Sequence, residues 1–157
     1  MHATGFSGIT PKVLYERKPK ESHRETVSYE IDMLAFCFDK LPKDKGCERS
    51  DEYLYLEGFL LHYRNLLEFL SGAHHRNGYD ISTRDPDTWA NRKMSTAEIA
   101  AIVDPAKGPD AKYHQVISTY LQHCTLSRYQ QGMVWDVIEM KSAIEPAIAE
   151  FERAFPR

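Results

Sequence analysis

Apolar residues recur every three or four positions along most of the chain, which is the spacing of one face of an α-helix. The tetrapeptide Ser22-His23-Arg24-Glu25 has the pattern of a capping box, in which the Ser and Glu side chains satisfy backbone amides at a helix start. The stripe that follows consists of Val27, Ile31, Leu34, Phe38 and Leu41. Because Pro42 cannot continue a helix, the pattern predicts a first helix from the capping box to Leu41.

The second predicted helix is apolar around most of its circumference, which is typical of a helix in the centre of a bundle. We expect Ser50 to be its N-cap, because a serine side chain can accept from the first backbone amides. The helix is expected to stop at Ser71-Gly72, where glycine suits a left-handed position. Its only charged stripe consists of Glu57, Arg64 and Glu68.

A second capping box, Ser95-Thr96-Ala97-Glu98, predicts a short helix that ends near Val103. Asp104-Pro105 and Gly108-Pro109 then interrupt the pattern, and Pro109 suits the first position of a new helix. That new helix is predicted over about 110–129 from its 3.6-residue period. Its buried stripe consists of Tyr113, Ile117, Tyr120, Leu121 and Cys124.

The last predicted helix contains a proline, Pro146, which should kink or break it because proline lacks a backbone N–H. Its apolar stripe consists of Val137, Met140, Ile144, Ile148, Phe151 and Phe155. The predicted helices cover roughly 60% of the chain, well above the base rate of about a third, and no segment alternates like a strand. The sequence therefore predicts an all-α fold, a bundle of four to five helices.

With 157 residues the chain is long enough for one domain. Residues 1–21 lack a helical period and are locally basic, so we expect a flexible arm before a single domain of residues 22–157. The arm is either a solvated terminus or a contact to a polyanion or a partner chain. Residues 73–94 also lack a period, and a long loop inside a domain is often functional.

Composition narrows the class of protein but indicates no activity. The formal net charge of −3 argues against a duplex-DNA binder, which usually carries a strongly basic face. No apolar run approaches the roughly 20 residues that span a bilayer, and no signal-peptide core is present at the N-terminus. The three cysteines include no CxxC pair, which favours reduced thiols in a cytoplasmic protein.

His62 is the first candidate functional residue, because it lies on the apolar side of the second helix. Burying such a group unpaired costs about 1–3 kcal/mol. It is either a core histidine satisfied by Asn65 or by another helix, or a functional group. Arg64 lies about 200° away around the helix and is either ion-paired with Glu68 at i,i+4 or functional.

His123 and Arg128 are the other candidates. If their helix packs beside the second one, His62 and His123 could approach each other. The loop of residues 73–94 offers three carboxylates, Asp80, Asp85 and Asp87. Such a cluster could bind a divalent metal, hold a phosphate with Arg128, or form a buried network without a ligand. No HExxH or ExxH spacing supports the metal, so no metal or cofactor is predicted.

The sequence EGFLLHYRNLLEF of residues 57–69 resembles a helix of a family of uncharacterised bacterial helical proteins. Their downstream HLTysR segment is matched loosely by residues 123–128, HCTLSR. More distantly, Arg64-Asn65 is similar to the motif of the HEPN superfamily, which is an Arg, four to six residues, and a His. Active HEPN members are metal-independent RNases of toxin and antiphage systems, with a composite site formed by dimerisation. The resemblance implies a HEPN-like bundle and a homodimer.

The chain departs from that motif at its second half, because Phe69, Leu70 and Ser71 stand where the His is expected. RNase chemistry needs an imidazole to move the 2′-OH proton or to protonate the leaving oxygen. We therefore expect a HEPN-like accessory or interaction module that binds RNA, a nucleotide or a protein partner without robust catalysis. One alternative is a metal- or small-ligand-binding bundle. The other is a ribonuclease toxin whose catalytic residues would be His62, Arg64, Asn65, His123 and Arg128.

Overall fold

The structure of the protein is a computed structural model, which describes residues 23–43, 46–73, 81–84, 93–122 and 133–157. Most of these residues belong to four α-helices: α1 (His23–Lys40), α2 (Ser50–Ser71), α3 (Thr96–Gln122) and α4 (Val137–Ala154). These ranges contain no β-strand. The prediction of an all-α bundle is confirmed for the part of the chain that the structure describes.

Each helix packs antiparallel to the next one in the chain. Between α1 and α2, Tyr29 contacts His62 and Phe36 contacts Tyr55, so residue numbers rise along one helix as they fall along the other. The same relation holds between α2 and α3 and between α3 and α4. The C-terminal end of α4 returns to the beginning of α1. The four helices therefore form an up-and-down bundle.

Helix α2 lies in the centre of this bundle, as its apolar circumference predicted. It packs against α1 and α3 along its length, and Phe69 reaches the ring of Phe151 on α4 at 5.3 Å. The approach to α1 is close at Gly58, where an added Cβ would lie 2.8 Å from the Sγ of Cys37. The side chains of α2 that are almost completely buried are Phe59, Leu60, Tyr63, Leu66, Leu67 and Leu70.

Of the three predicted caps that fall within the described residues, two are present, whereas the capping box predicted from Ser22 begins outside these residues. Glu98 closes the capping box, because its amide donates to Ser95 Oγ (3.2 Å) and its carboxylate accepts from the Ser95 amide (2.8 Å). Gly72 ends α2 with φ of 60°, in the left-handed region. The N-cap prediction for Ser50 is wrong: the helix already includes Ser50 and is capped by Arg49. The Glu52 carboxylate, at the third helical position, accepts from the Arg49 amide at 3.0 Å, which is the reciprocal half of a capping box.

The predicted interruption between residues 103 and 110 is also wrong. Helix α3 runs without a break from Thr96 to Gln122 and contains Pro105 and Pro109. Each proline removes one backbone hydrogen bond, but Ile102 and Ala106 are almost completely buried on the inner face. We attribute the continuity to this burial, which offsets the lost bonds. The predicted end of the helix, residues 123–129, lies outside the described residues.

Helix α4 is likewise continuous through Pro146, so the break predicted there as an alternative to a kink does not occur. Ile144 and Ala147, on either side of the proline, are completely buried in the core. Asp136 is the N-cap, with its side chain accepting from the Glu139 amide at 2.8 Å. Core packing therefore holds both proline-containing helices in one piece.

Replacing Gly72 with Ala should destabilise the protein by about 1–3 kcal/mol, because φ of 60° is unfavourable for residues with a Cβ. The new Cβ would also lie 2.5 Å from Cγ of Arg84. Gly108→Ala is the matched control, since a Cβ there meets nothing within 4 Å and the position is inside α3. Urea unfolding should show a stabilisation of about 0.5–1 kcal/mol for the control. Equal effects of the two variants would contradict the role of the left-handed turn.

Candidate functional site

The candidate residues of α2 lie on two sides of that helix. His62 hydrogen-bonds to α1, whereas Arg64 hydrogen-bonds to α3. Because 3.6 residues make a turn, two residues two positions apart project to nearly opposite sides of a helix. The structure therefore separates His62 from Arg64 instead of placing them in one pocket.

On the α1 side, one carboxylate oxygen accepts from both polar residues of α2. Glu30 Oε2 lies 2.7 Å from His62 Nδ1 and 3.0 Å from Asn65 Nδ2. An ionised carboxylate can only accept, so the histidine donates through Nδ1. The ring edge of His62 also packs against Tyr29, with ring centroids 5.8 Å apart. The side chains of His62 and Glu30 are only 10% and 15% exposed. This α1-side cluster (Glu30, His62 and Asn65) is a satisfied buried network.

On the α3 side, Arg64 is held by two residues. Its Nε donates to Ser118 Oγ at 2.8 Å, and its Nη2 donates to Glu68 Oε1 at 2.5 Å. The same Glu68 oxygen lies 2.9 Å from His114 Nε2. We call these four residues the arginine cluster: Arg64, Glu68, His114 and Ser118. The i,i+4 ion pair of Arg64 with Glu68, one of the two interpretations of this arginine, is present.

The side chains of the arginine cluster differ in how much of their surface is exposed to solvent. The side chains of Arg64 and His114 are 17% and 11% exposed, whereas that of Glu68 is 33% exposed. Ser118 is buried between the helices. Glu68 therefore has the most exposed side chain of the three charged or titratable residues in the cluster.

Several predicted site residues cannot be placed beside these clusters. His123, Arg128 and the three loop aspartates, Asp80, Asp85 and Asp87, lie outside the described residues. The proximity of His62 to His123 therefore stays a prediction. The acceptor that satisfies His62 Nδ1 comes from α1, which agrees with the interpretation that another helix satisfies this histidine.

Three residues that complete the clusters belong to no motif in the sequence: Glu30, His114 and Ser118. Glu30 directly precedes Ile31 of the apolar stripe, and His114 and Ser118 directly follow Tyr113 and Ile117. A polar residue beside a buried stripe lies at the boundary of a helix interface. That position was a usable signal, although it does not identify the partner.

A second polar contact joins α3 to α4. Tyr113 donates its hydroxyl to Glu139, and Lys112 Nζ lies 2.8 Å from the same carboxylate. The hydrogen bonds from Lys112 and Tyr113 hold the pKa of Glu139 below its ordinary value. Burial raises the pKa of Tyr63, whose hydroxyl has no hydrogen-bond partner among the described residues. Neither Glu139 nor Tyr63 is thereby poised as a base near neutral pH.

The cysteines that the structure describes are not activated nucleophiles. Burial raises the pKa of the Cys37 thiol, and burial together with the nearby Glu52 carboxylate raises that of Cys47. A reactive cysteine needs the opposite shift, because the thiolate is the nucleophile. Cys124, predicted to be a core residue, lies outside the described residues.

Comparisons with known proteins leave the family open: no family model matches the chain, and no curated protein or solved structure is significantly similar to it. Within the described ranges, no three His, Cys, Asp or Glu side chains lie close enough together to hold a metal ion. None of the described helices has the length and apolar content needed to cross a membrane.

Replacing Glu30 with Ala should destabilise the protein by about 2–3 kcal/mol at neutral pH, because His62 and Asn65 would lose their shared buried acceptor. Asp32→Ala on the same helix is the matched control. It removes a carboxylate that is 56% exposed and paired with Arg157, and such surface pairs contribute about 0–1 kcal/mol. The measurement is urea unfolding. A loss for Glu30→Ala no larger than that for Asp32→Ala would show that the α1-side cluster is not a stabilising network.

Proposed function

We propose that this chain is a HEPN-like helical interaction module without robust catalysis. The observation that supports this most directly is the α1-side cluster. Glu30 Oε2 engages both His62 and Asn65, two of the residues that a ribonuclease here would need. Their polar atoms stabilise the contact between α1 and α2 and are turned away from Arg64.

The chemistry of RNA cleavage explains why this arrangement disfavours His62 as a general base. A general base must come within about 2.6–3.2 Å of the proton that it removes. The imidazole of His62 is 10% exposed and engaged with Glu30, while Arg64 is directed to α3. A phosphodiester held by Arg64 would therefore have its 2′-OH on the other side of α2 from this imidazole.

The outward face of α2 suggests what the module interacts with. Leu54 and Leu61 are 66% and 44% exposed. They lie seven residues apart, which places them within about 20° of each other on the helix. Phe36 of α1, beside Tyr55, is also half-exposed. We call Leu54 and Leu61 the α2 patch. The resemblance to the HEPN superfamily, whose composite site is formed by dimerisation, favours a second copy of the chain as the occupant of this patch, and a two-fold interface would bury the same surface on both partners.

RNA cleavage in the presence of EDTA tests the absence of robust catalysis. We expect the wild-type chain to cleave a single-stranded RNA no faster than buffer does, because the imidazoles of His62 and His114 are hydrogen-bonded to Glu30 and Glu68. Arg64→Ala and His123→Ala serve as the variants, and Arg153→Ala, on the surface of α4, is the matched control. Wild-type cleavage that both variants lose and the control keeps would overturn the proposal in favour of the ribonuclease.

Sedimentation equilibrium tests the α2 patch. We expect the wild-type chain to be a dimer and Leu61→Lys to be a monomer, because a charge in an apolar interface is unpaired when it is buried. Ile138→Lys is the matched control, since Ile138 is 50% exposed on α4 and lies outside the patch. A wild-type monomer at all concentrations, or equal dissociation of both variants, would contradict the homodimer.

A further inference from the structure

We propose that Arg64, His114 and Ser118 form a binding site for a phosphate group, and that the Glu68 carboxylate holds the position that a phosphate oxygen would take. This proposal deepens the proposed function and rests on it, because a module that does not cleave RNA can hold its phosphates as an intact ligand. The site uses none of the polar atoms of the α1-side cluster.

The first support is the convergence of two donors from two helices on one oxygen. Glu68 Oε1 lies 2.5 Å from Arg64 Nη2 and 2.9 Å from His114 Nε2. A surface ion pair at i,i+4 needs only one donor, and the pair between Lys141 and Glu145 on α4 has that simple form. A guanidinium and an imidazole directed at one acceptor are the donors that proteins use for phosphate oxygens.

The second support is the way in which Arg64 is held. Its Nε donates to Ser118 Oγ at 2.8 Å, through an atom that does not contact Glu68. The guanidinium therefore keeps its position and orientation when the carboxylate moves away. A donor that is already oriented loses less conformational entropy when a ligand binds.

The third support is that the carboxylate is the member of the cluster best placed to leave. The Glu68 side chain is 33% exposed, about twice as much as that of Arg64 and three times as much as that of His114. It can rotate into solvent, where water replaces its two hydrogen bonds. Arg64 Nη2 and His114 Nε2 would then lose the oxygen that both of them contact.

Charge favours the exchange of carboxylate for phosphate. Glu68 carries one negative charge, whereas a phosphate monoester carries about 1.5 to 2 at neutral pH and offers three oxygens. Phosphate thus interacts more strongly than a carboxylate with the same guanidinium. Since the resident carboxylate competes for these donors, removing its charge should strengthen binding, whereas removing the guanidinium should weaken it.

Calorimetric titration of the full-length chain tests the site. The ligands are AMP, inorganic phosphate and a ten-nucleotide single-stranded RNA, and adenosine is the uncharged counterpart of AMP. For the ligands that bind, we expect Arg64→Gln to weaken binding about tenfold, which corresponds to about 1.4 kcal/mol. We expect Glu68→Gln to strengthen binding about fivefold, which corresponds to about 1 kcal/mol. Glu145→Gln is the matched control, because it changes the net charge equally at an i,i+4 pair on α4.

The opposite directions of the two effects keep the test independent of folding. A misfolded Arg64→Gln variant would lose binding trivially, but a damaged Glu68→Gln variant cannot bind more tightly than the wild type. Binding of AMP and phosphate would identify a free phosphate ligand, and binding of the RNA alone would identify a polynucleotide. Either result supports the site if the two variants respond as expected and the control stays within about twofold.

Three results would overturn the site: no binding of any phosphate ligand, equal binding of adenosine and AMP, or a Glu68→Gln affinity that is unchanged or weaker. Absence of binding would leave the non-catalytic module standing, because that proposal is tested by cleavage. Conversely, RNA cleavage by the wild-type chain would overturn the non-catalytic module while binding at Arg64 could still be measured with AMP. The two proposals can therefore fail separately.

Discussion

The burial of α2 between α1 and α3 is the constraint on which the rest of this structure depends. The inner side of this helix is apolar and buried from Phe59 to Leu70, so each polar side chain near its interfaces needs a partner on a neighbouring helix. The Glu30 carboxylate on α1 accepts hydrogen bonds from His62 and Asn65. On α3, Ser118 accepts from Arg64, and His114 hydrogen-bonds to Glu68. These hydrogen bonds fix the position of α1 and of α3 along the axis of α2. Apolar packing alone would allow more than one such position.

The two clusters are built in the same way but differ in what they can do. In each, one carboxylate oxygen accepts from two donors. The shared acceptor Glu30 is 15% exposed and sits within the interface, whereas Glu68 is 33% exposed and lies at its edge. A buried acceptor that satisfies two donors is costly to displace, while an exposed one can exchange with water or a ligand. The α1-side cluster therefore stabilises the contact between α1 and α2, and the arginine cluster is the one for which we propose a ligand.

The prolines of α3 and α4 illustrate how packing overrides a local rule. Proline removes a backbone hydrogen bond wherever it stands, and this predicted interruptions at Pro105, Pro109 and Pro146. In the folded chain, residues beside these prolines, Ala106 and Ala147 among them, are completely buried on the inner faces of continuous helices. The apolar area removed from water is a property of the bundle, so it does not show in the sequence around a proline.

Local sequence was enough to determine the all-α class, the central position of α2 and the ends at Ser95 and Gly72. Helical period and capping involve residues within a few positions of one another, so their physics is contained in a short window. Only the tertiary structure decided that Glu30 hydrogen-bonds to His62 and that His114 contacts the Glu68 oxygen that also binds Arg64. It also decided that α3 is one continuous helix. Glu30 and His62 are 32 positions apart and Glu68 and His114 are 46 apart, and such pairs depend on how the helices dock. Docking follows from the total burial of all four helices, which no short window of sequence contains.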